Sequence, residues 1–177
     1  MRPVLAWIVL GMLLLAGCAG PKVGDYRDEK PVLDLATYFN GKLDAWGLVR
    51  NRSGKIVKRF RVEMTGSWQG GKGTLEENFT YADGSKSRRI WKISKIDANH
   101  YRGTAEDVIG EAVGEAGGNA LRWRYVLSVP VDGNTYNVNF DDWMYLMDNE
   151  VMLNESGMSK YGIGLGEVTV SFRKRNF

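Results

Sequence analysis

Histidine and cysteine are almost absent from this chain, which contains one of each, His100 and Cys18. A single cysteine cannot form a disulfide within the chain, so the packed core must supply the stability of the fold. Two such residues are also too few to build a zinc or copper site. A Ser/His/Asp triad would have to use His100, and no serine lies in a nucleophile-elbow context. The sequence therefore predicts a protein that needs no cofactor and is not an enzyme.

An excess of one charge is missing too. The chain has 24 Lys and Arg against 21 Asp and Glu, so it lacks the basic footprint of a nucleic-acid-binding protein. Three pairs of adjacent acidic residues fall in segments predicted to be extended, namely Glu76-Glu77, Glu106-Asp107 and Asp141-Asp142. Neighbouring residues of a β-strand point to opposite faces. None of these pairs is therefore expected to form a carboxylate dyad.

Long apolar runs are limited to residues 4–15, a stretch too short to span a bilayer core of about 30 Å but typical of a signal peptide. It ends in Leu15-Ala16-Gly17-Cys18, which resembles the lipobox of bacterial lipoproteins. The resemblance implies that residues 1–17 are a signal peptide and that Cys18 carries a thioether-linked diacylglycerol and usually an N-acyl chain such as palmitate. More than one acyl chain gives a stable membrane anchor. An ordinary secretory signal with an incidental cysteine is the alternative.

The residues after Cys18 predict a location and a spacer. The residue after the cysteine is Ala19 and not aspartate, as in lipoproteins that are sorted to the outer membrane. The resemblance therefore implies that the protein is anchored in the periplasmic leaflet of that membrane. Residues 18–32 combine glycine, proline and charges, and we expect them to form a flexible tether. Residues 33–177 then form one domain. Within it, Asp34 is placed to cap a short helix that begins at the next residue.

Alternation of apolar and polar residues dominates the domain. Every second residue over 121–131 is apolar, the period of a β-strand with one buried face. Asp132-Gly133 is typical of a two-residue hairpin turn, and a second alternating segment follows over 136–146. Residues 147–150 turn the chain into a third strand at 151–153. Further strands are predicted at 43–50, 60–68, 75–81, 89–96 and 168–173.

Two glycine-rich segments are harder to assign. We interpret 101–113 as one long, bent strand and 115–119 as a turn. A short helical lid is the alternative, although each glycine disfavours a helix by about 1 kcal/mol relative to alanine. Residues 156–166 contain four glycines and are predicted to be a loop.

These segments predict an all-β fold, an antiparallel up-and-down barrel of about eight to nine strands preceded by a short N-terminal helix. A closed barrel removes exposed strand edges. A barrel of this size is either filled by side chains or holds one small ligand. The order of helix, first strand with Trp46-Gly47 and successive hairpins resembles the architecture of lipocalins and other calycins.

Five motifs of the chain are similar to those of a family of uncharacterised proteobacterial lipoproteins, the domain-of-unknown-function family 3833. They are Gly66-x-Trp68-x-Gly70, Tyr81-x-Asp83-Gly84, Asp107-Val108-x-Gly110, Gly118-Asn119-Ala120 and Asp141-Asp142-Trp143-Met144. The resemblance covers nearly all of the mature chain. It implies a fold and a location but no activity.

Three charged residues interrupt the strand faces that we expect inside the barrel, namely Glu77, Arg89 and Asp142. A buried charge is unfavourable unless it is paired, and Arg89 is the best candidate partner of Asp142. One interpretation is that the charges only neutralise one another in the core or face water at the barrel mouth. The other is that they form the polar end of a ligand pocket in which Arg89 receives an acidic head group. The predicted pocket walls are Phe79, Trp91, Trp123, Tyr125, Tyr136, Phe140 and Met144.

The sequence thus predicts an outer-membrane-anchored periplasmic lipoprotein that binds a lipid, such as a fatty acid, or another small apolar molecule in a barrel pocket. The alternative is a filled barrel that docks onto another envelope protein and holds no small ligand. Neither interpretation involves a nucleic acid.

Overall fold

The computed structural model describes residues 20–175. The predicted signal peptide and Cys18 lie outside these residues, so both stay predictions. Ten antiparallel strands follow one another around a closed barrel, and the last pairs with the first. The elements are a 3-10 helix (Val23–Tyr26), α1 (Leu35–Tyr38), β1 (Gly41–Asn51), β2 (Ile56–Gln69), β3 (Lys72–Tyr81), β4 (Lys86–Lys95), β5 (His100–Thr104), β6 (Val108–Gly117), β7 (Ala120–Val131), β8 (Asn134–Leu146), β9 (Val151–Lys160) and β10 (Ile163–Lys174). The predicted all-β barrel with a short preceding helix is confirmed, with ten strands instead of eight or nine.

The β7–β8 hairpin has the turn that the sequence predicts. Asp132 and Gly133 both have positive φ angles, 49° and 79°. Two consecutive residues in this conformation match the right-handed twist of the flanking strands, which is why the dipeptide favours such a turn. The resulting register places Trp123 of β7 beside Asp142 of β8. Both side chains point into the barrel.

The segment 101–119 differs from its prediction. It forms two strands, β5 and β6, joined by residues 105–107, and contains neither one long bent strand nor a helical lid. The turn expected at 115–119 is shorter, because β6 extends into it. A register shift between Ile109 and Val113 interrupts the pairing of β6 with β7. The additional strand explains why the barrel has more strands than predicted.

Residues 156–166, predicted to be a loop, are instead part of a hairpin. Strand β9 continues to Lys160, and Tyr161 and Gly162 form the turn with positive φ angles of 52° and 77°. Gly157 remains paired with Glu167 of β10. Glycine content alone was therefore misleading here, since the backbone pairing of a strand does not require a side chain.

Helix α1 is attached to one end of the barrel through its cap. Asp34 accepts a hydrogen bond from the Thr37 amide at 2.9 Å, so the predicted cap is confirmed, and the helix is a single turn. The Asp34 carboxylate also pairs with Lys95 of β4 and accepts a hydrogen bond from the Tyr101 hydroxyl at 3.1 Å. These contacts lower the pKa of Asp34 against the opposing effect of burial. One side chain therefore caps the helix and holds it on the barrel.

The tether predicted over residues 18–32 is wrong from Val23 onward. Val23 is buried and lies against Gly117 of β6. The Tyr26 ring packs on Tyr145 with 5.5 Å between the ring centroids. The Leu33 amide donates a hydrogen bond to the Gly118 carbonyl at 2.8 Å. Two apolar side chains among the charges are enough to fold this segment onto the barrel.

The two ends of the barrel differ. At the closed end, α1 and the residue after it place Leu35 and Phe39 beneath the barrel interior, and both are buried. At the open end, the turns of five hairpins surround the mouth, and several apolar side chains near it are exposed, including Val131, Tyr136, Ile163 and Leu165. Among residues 20–175, no helix is long and apolar enough to cross a membrane.

Candidate functional site

The barrel interior contains a cavity of about 480 Å³. Small-molecule sites in proteins have volumes of about 300–1,000 Å³, so the cavity has the size of a ligand site. Nine of the ten residues predicted to form the pocket line it, which are Glu77, Phe79, Arg89, Trp91, Trp123, Tyr125, Phe140, Asp142 and Met144. The inward alternation of β3, β4, β7 and β8 brings these side chains together.

Tyr136 is the residue among the ten that does not line the cavity. It is 40% exposed, and the Lys160 ammonium lies 4.6 Å from the centroid of its ring. Tyr136 lies near the open end of β8, where solvent and Lys160 surround its ring. The alternation of the sequence does not show which residues of a strand face contact the cavity.

An aromatic cluster forms one wall of the cavity. The ring centroid of Trp91 lies 5.7 Å from that of Trp123 and 5.5 Å from that of Tyr125, both in edge-to-face geometry. Tyr125 stacks on Phe140 at 5.1 Å. Such pairs add about 0.5–1.5 kcal/mol each beyond the burial of their area. The three contacts join the four rings into one continuous apolar wall.

Arg89 is held by Asp107 and not by Asp142, which corrects the predicted pair. Its Nε and Nη2 donate to the Asp107 carboxylate at 2.9 and 2.6 Å, the bidentate geometry that favours arginine. Its Nη1 lies 3.7 Å from Oε2 of Glu77. Strand β4 pairs with β5 over residues 92–95, so Arg89 lies beyond this pairing and reaches the β5–β6 connection through its side chain.

These contacts set the charges of the Arg89 cluster. Burial opposes the charge on Arg89, but the hydrogen-bonded Asp107 and nearby Glu77 raise its pKa, so the guanidinium stays charged. Burial raises the pKa of Glu77 to about 7 despite the favourable effect of Arg89. Oε2 of Glu77 is buried and has no hydrogen-bond partner within residues 20–175.

Asp142 forms a second polar centre. It is 6% exposed and accepts a hydrogen bond from the Ser156 hydroxyl of β9, while the Tyr125 side chain approaches the same carboxyl. Burial raises the pKa of Asp142 to about 7. Burial and then the charge of Asp142 also raise the pKa of Tyr125. The phenol of Tyr125 thus lies between Asp142 and the Arg89 cluster.

Sequence reasoning missed three polar residues of the site. Asp107 was considered only as half of the Glu106-Asp107 pair, and Ser156 fell in the predicted loop. Asn154 of β9 also lines the cavity, and its side-chain amide donates to the Trp143 carbonyl at 3.3 Å. Met152, Asn154 and Ser156 are all buried. Their spacing at every second position was the sequence signal that could have placed them on one strand face.

The histidine lies away from the cavity. The Nδ1 atom of His100 lies 2.9 Å from the Asp97 carboxylate at the closed end of the barrel, and both side chains are more than half exposed. Within residues 20–175, no three His, Cys, Asp or Glu side chains are grouped as metal ligands. The site combines a large apolar wall with a few buried polar groups, which is suited to binding an amphiphile.

The chain matches one protein family and is similar in fold to solved structures. A family model described as "Protein of unknown function (DUF3833)" matches residues 12–174. No significant match was found among curated protein sequences. The structure of Rv2717c from M. tuberculosis is similar with a TM-score of 0.60 and 13% identity over 84% of this chain and 100% of that chain. The S-type phycobiliprotein lyase CPES from Guillardia theta is similar with a TM-score of 0.55 and 8% identity over 89% of this chain and 100% of that chain. These likenesses show a calycin-like fold.

Proposed function

Because the chain belongs to the DUF3833 family, for which no activity is described, we propose a function from its barrel. The protein binds a small, largely apolar molecule inside the cavity. The observation that carries this proposal is the 480 Å³ space lined mainly by aromatic and aliphatic side chains. A barrel that served only as a scaffold would gain stability by filling this space, since cavities in a core are destabilising. The space therefore favours ligand binding over the filled-barrel alternative.

The location of the protein is part of the same proposal. The Leu15-Ala16-Gly17-Cys18 motif supports a lipid anchor at Cys18, and Ala19 supports sorting to the outer membrane. The first described residues lie at the closed end of the barrel, where Val23 is packed. An anchor attached there leaves the open end available to solvent and to a ligand that enters from it.

Dye binding tests the proposal. The mature chain, residues 18–177 with Cys18→Ser, is titrated with N-phenyl-1-naphthylamine, an uncharged dye that fluoresces in apolar sites. We expect saturable binding of one dye per chain. Met158→Trp, which enlarges a half-buried side chain lining the cavity, is expected to weaken binding at least tenfold.

The control variant is Leu153→Trp. Leu153 lies on the same strand but is exposed on the outer face, so this variant is expected to bind the dye like the parent. Absence of saturable dye binding to the folded parent would refute the proposed function. Native mass spectrometry of protein purified from its membrane gives an independent test, since a bound ligand adds a discrete mass.

A further inference from the structure

The charged groups of the cavity do not balance. Glu77, Arg89 and Asp142 line its interior, and Asp107 binds Arg89 from the β5–β6 connection. Three carboxyl groups thus accompany one guanidinium, and two of them, those of Glu77 and Asp107, contact it. Lys58 lines the cavity at the open end, where its ammonium lies 4.2 Å from the centroid of the Tyr81 ring. The deep part of the cavity therefore contains more acidic groups than basic ones.

Arg89 is not available to an acidic ligand. Its Nε and Nη2 point to Asp107, and Nη1 faces Glu77. A ligand carboxylate would have to displace Asp107 or share the guanidinium with two carboxyl groups. Like charges in a buried site repel strongly, because the local dielectric is low. The predicted acidic head group therefore does not fit this arrangement.

Asp142 lacks the partner that Arg89 has. Within residues 20–175, no Lys, Arg or His nitrogen forms an ion pair with it, and its hydrogen-bond partners are the neutral Ser156 hydroxyl and the Tyr125 phenol. Glu77 adds a buried oxygen without a hydrogen bond. An ionised carboxylate in an apolar site is unfavourable unless a cation or hydrogen-bond donors compensate it. The cavity thus contains acidic groups whose compensation is incomplete.

We propose that the ligand is a basic amphiphile, an apolar molecule with an amine whose ammonium group binds Asp142 beside Tyr125. This inference rests on the proposed function and specifies its ligand class. The aromatic wall of Trp91, Trp123 and Tyr125 contacts the apolar body of the ligand and presents ring faces that also attract a cation. Burial raises the pKa of Asp142 to about 7, so a bound ammonium shifts this carboxyl to its ionised form and is paired on arrival.

Three amphiphiles with one chain length separate charge from apolar burial. Dodecylamine, dodecanol and dodecanoate are tested for displacement of N-phenyl-1-naphthylamine from the mature chain at pH 7.5, the two ionic compounds below their micelle concentrations and dodecanol below its solubility limit. We expect dodecylamine to bind at least tenfold more tightly than dodecanoate, with dodecanol between them. Tighter or equal binding of dodecanoate would overturn the inference while leaving the proposed function intact. Failure of the dye and of all three amphiphiles to bind would refute the function itself.

Variants locate the ammonium. Asp142→Asn is expected to weaken dodecylamine binding at least tenfold and to change dodecanol binding less than twofold. Asp132→Asn, the same change in the exposed β7–β8 turn, is the control and is expected to bind like the parent. Should Asp142→Asn not fold, Asp142→Ser with Asp132→Ser as its control gives the same test at the same carboxyl. An unchanged ratio of amine to alcohol affinity in the folded variants would overturn the assignment.

Discussion

Arg89 shows how one side chain serves two parts of the fold. It lies on the inner face of β4, yet its strongest contacts are with Asp107, outside that strand. The side chain joins β4 to the β5–β6 connection where backbone pairing between β4 and β5 has ended. Arg89 therefore lines the cavity and also connects β4 to the β5–β6 connection.

Removal of this link is the first prediction. Arg89→Met leaves Asp107 and Glu77 without their cation, and we expect the free energy of unfolding to fall by about 3 kcal/mol, since the loss of one partner from a buried ion pair costs about 3–5 kcal/mol. The lower end applies because Asp107 keeps contact with solvent and Glu77 can take up a proton. Urea unfolding measures the change.

Its matched control is the next residue along the strand. Arg88 points outward and pairs with Glu76 at 2.9 Å, and its side chain is 57% exposed. Arg88→Met is expected to lower the free energy of unfolding far less than Arg89→Met does, because solvent screens an exposed ion pair. Equal effects of the two substitutions would contradict the role given to Arg89.

The buried carboxyls predict an unusual pH dependence of stability. Burial raises the pKa of Asp142 and Glu77 to about 7 in the folded protein, from ordinary values of 3.8 and 4.5. Between about pH 4 and 7 the folded state then binds more protons than the unfolded state, so the free energy of unfolding falls as the pH rises. We expect a decrease on the order of 2–3 kcal/mol for each group.

Urea unfolding at pH 5.0 and 7.5 tests this dependence. Asp142→Asn and Glu77→Gln should each reduce the difference between the two pH values, whereas Glu155→Gln on the outer face should retain it. Asp44 acts in a lower range, because its hydrogen bond with Arg175 lowers its pKa to about 2, so its contribution to stability is lost as the pH falls from about 4 to about 2. A parent protein that is equally stable at both pH values would contradict the burial of the two carboxyls.

Strands β5 and β6 provide the flat surface on which Trp123 lies. A Cβ atom at Gly103 would come within 2.6 Å of the Trp123 ring, and one at Gly114 within 2.4 Å. Both distances are too short for a contact between non-bonded atoms. The two glycines thus position the indole in the cavity wall by leaving space for it.

Filling that space is the prediction at the scale of the element. Gly114→Ala is expected to displace the indole and to lower the free energy of unfolding by about 1–3 kcal/mol, as overpacking does. Near-ultraviolet circular dichroism reports the displacement. Gly157→Ala in β9, where no atom lies within 4 Å of an added Cβ, is expected to change stability by less than about 0.5 kcal/mol. Similar spectra and stabilities for parent and Gly114→Ala would refute the role of this glycine.

The same elements show what sequence could and could not predict. The β7–β8 hairpin was predicted correctly because alternation and the Asp132-Gly133 turn are local signals. The strands within 101–119 were not predicted correctly, because Gly103 and Gly114 make room for the ring of Trp123, a contact that the local sequence does not show. Asp107 was missed for a similar reason, since the packing of β4 beside β5 and its connection brings it to Arg89. Local patterns thus predicted most of the strands and nine of the cavity residues, whereas the polar partners depend on contacts between neighbouring strands and connections.

At the scale of the whole molecule, the closed end of the barrel and the open end have different tasks. Residues 23–39 cover the closed end, and the chain leading from Cys18 arrives there. The cavity lies above this cover, and exposed side chains such as Val131 and Leu165 also line its mouth. The proposed anchor and the proposed ligand entry are therefore at opposite ends.

The proposed lipid anchor at Cys18 can be tested by labelling. Cys18→Ser removes the thiol that would receive the diacylglycerol, so we expect cells producing this variant to incorporate no radiolabelled palmitate into the protein. The parent produced in the same cells is the positive control. Labelling of the variant at the parent level would exclude acylation at Cys18 and leave the ordinary secretory signal as the interpretation of residues 1–17.

Closure of the barrel has a consequence for how the chain is made. Leu43 of β1 lies beside Lys174 of β10. This edge of the first strand can therefore pair only after the last strand has been synthesised. Pairing of residues so distant in sequence carries a large loop entropy and slows folding. Until β10 emerges, the unfinished sheet has a free edge that other chains can pair with. We expect ring closure to be the slowest folding step, and Trp46 of β1, opposite Ser171 of β10, is placed to report it by stopped-flow fluorescence.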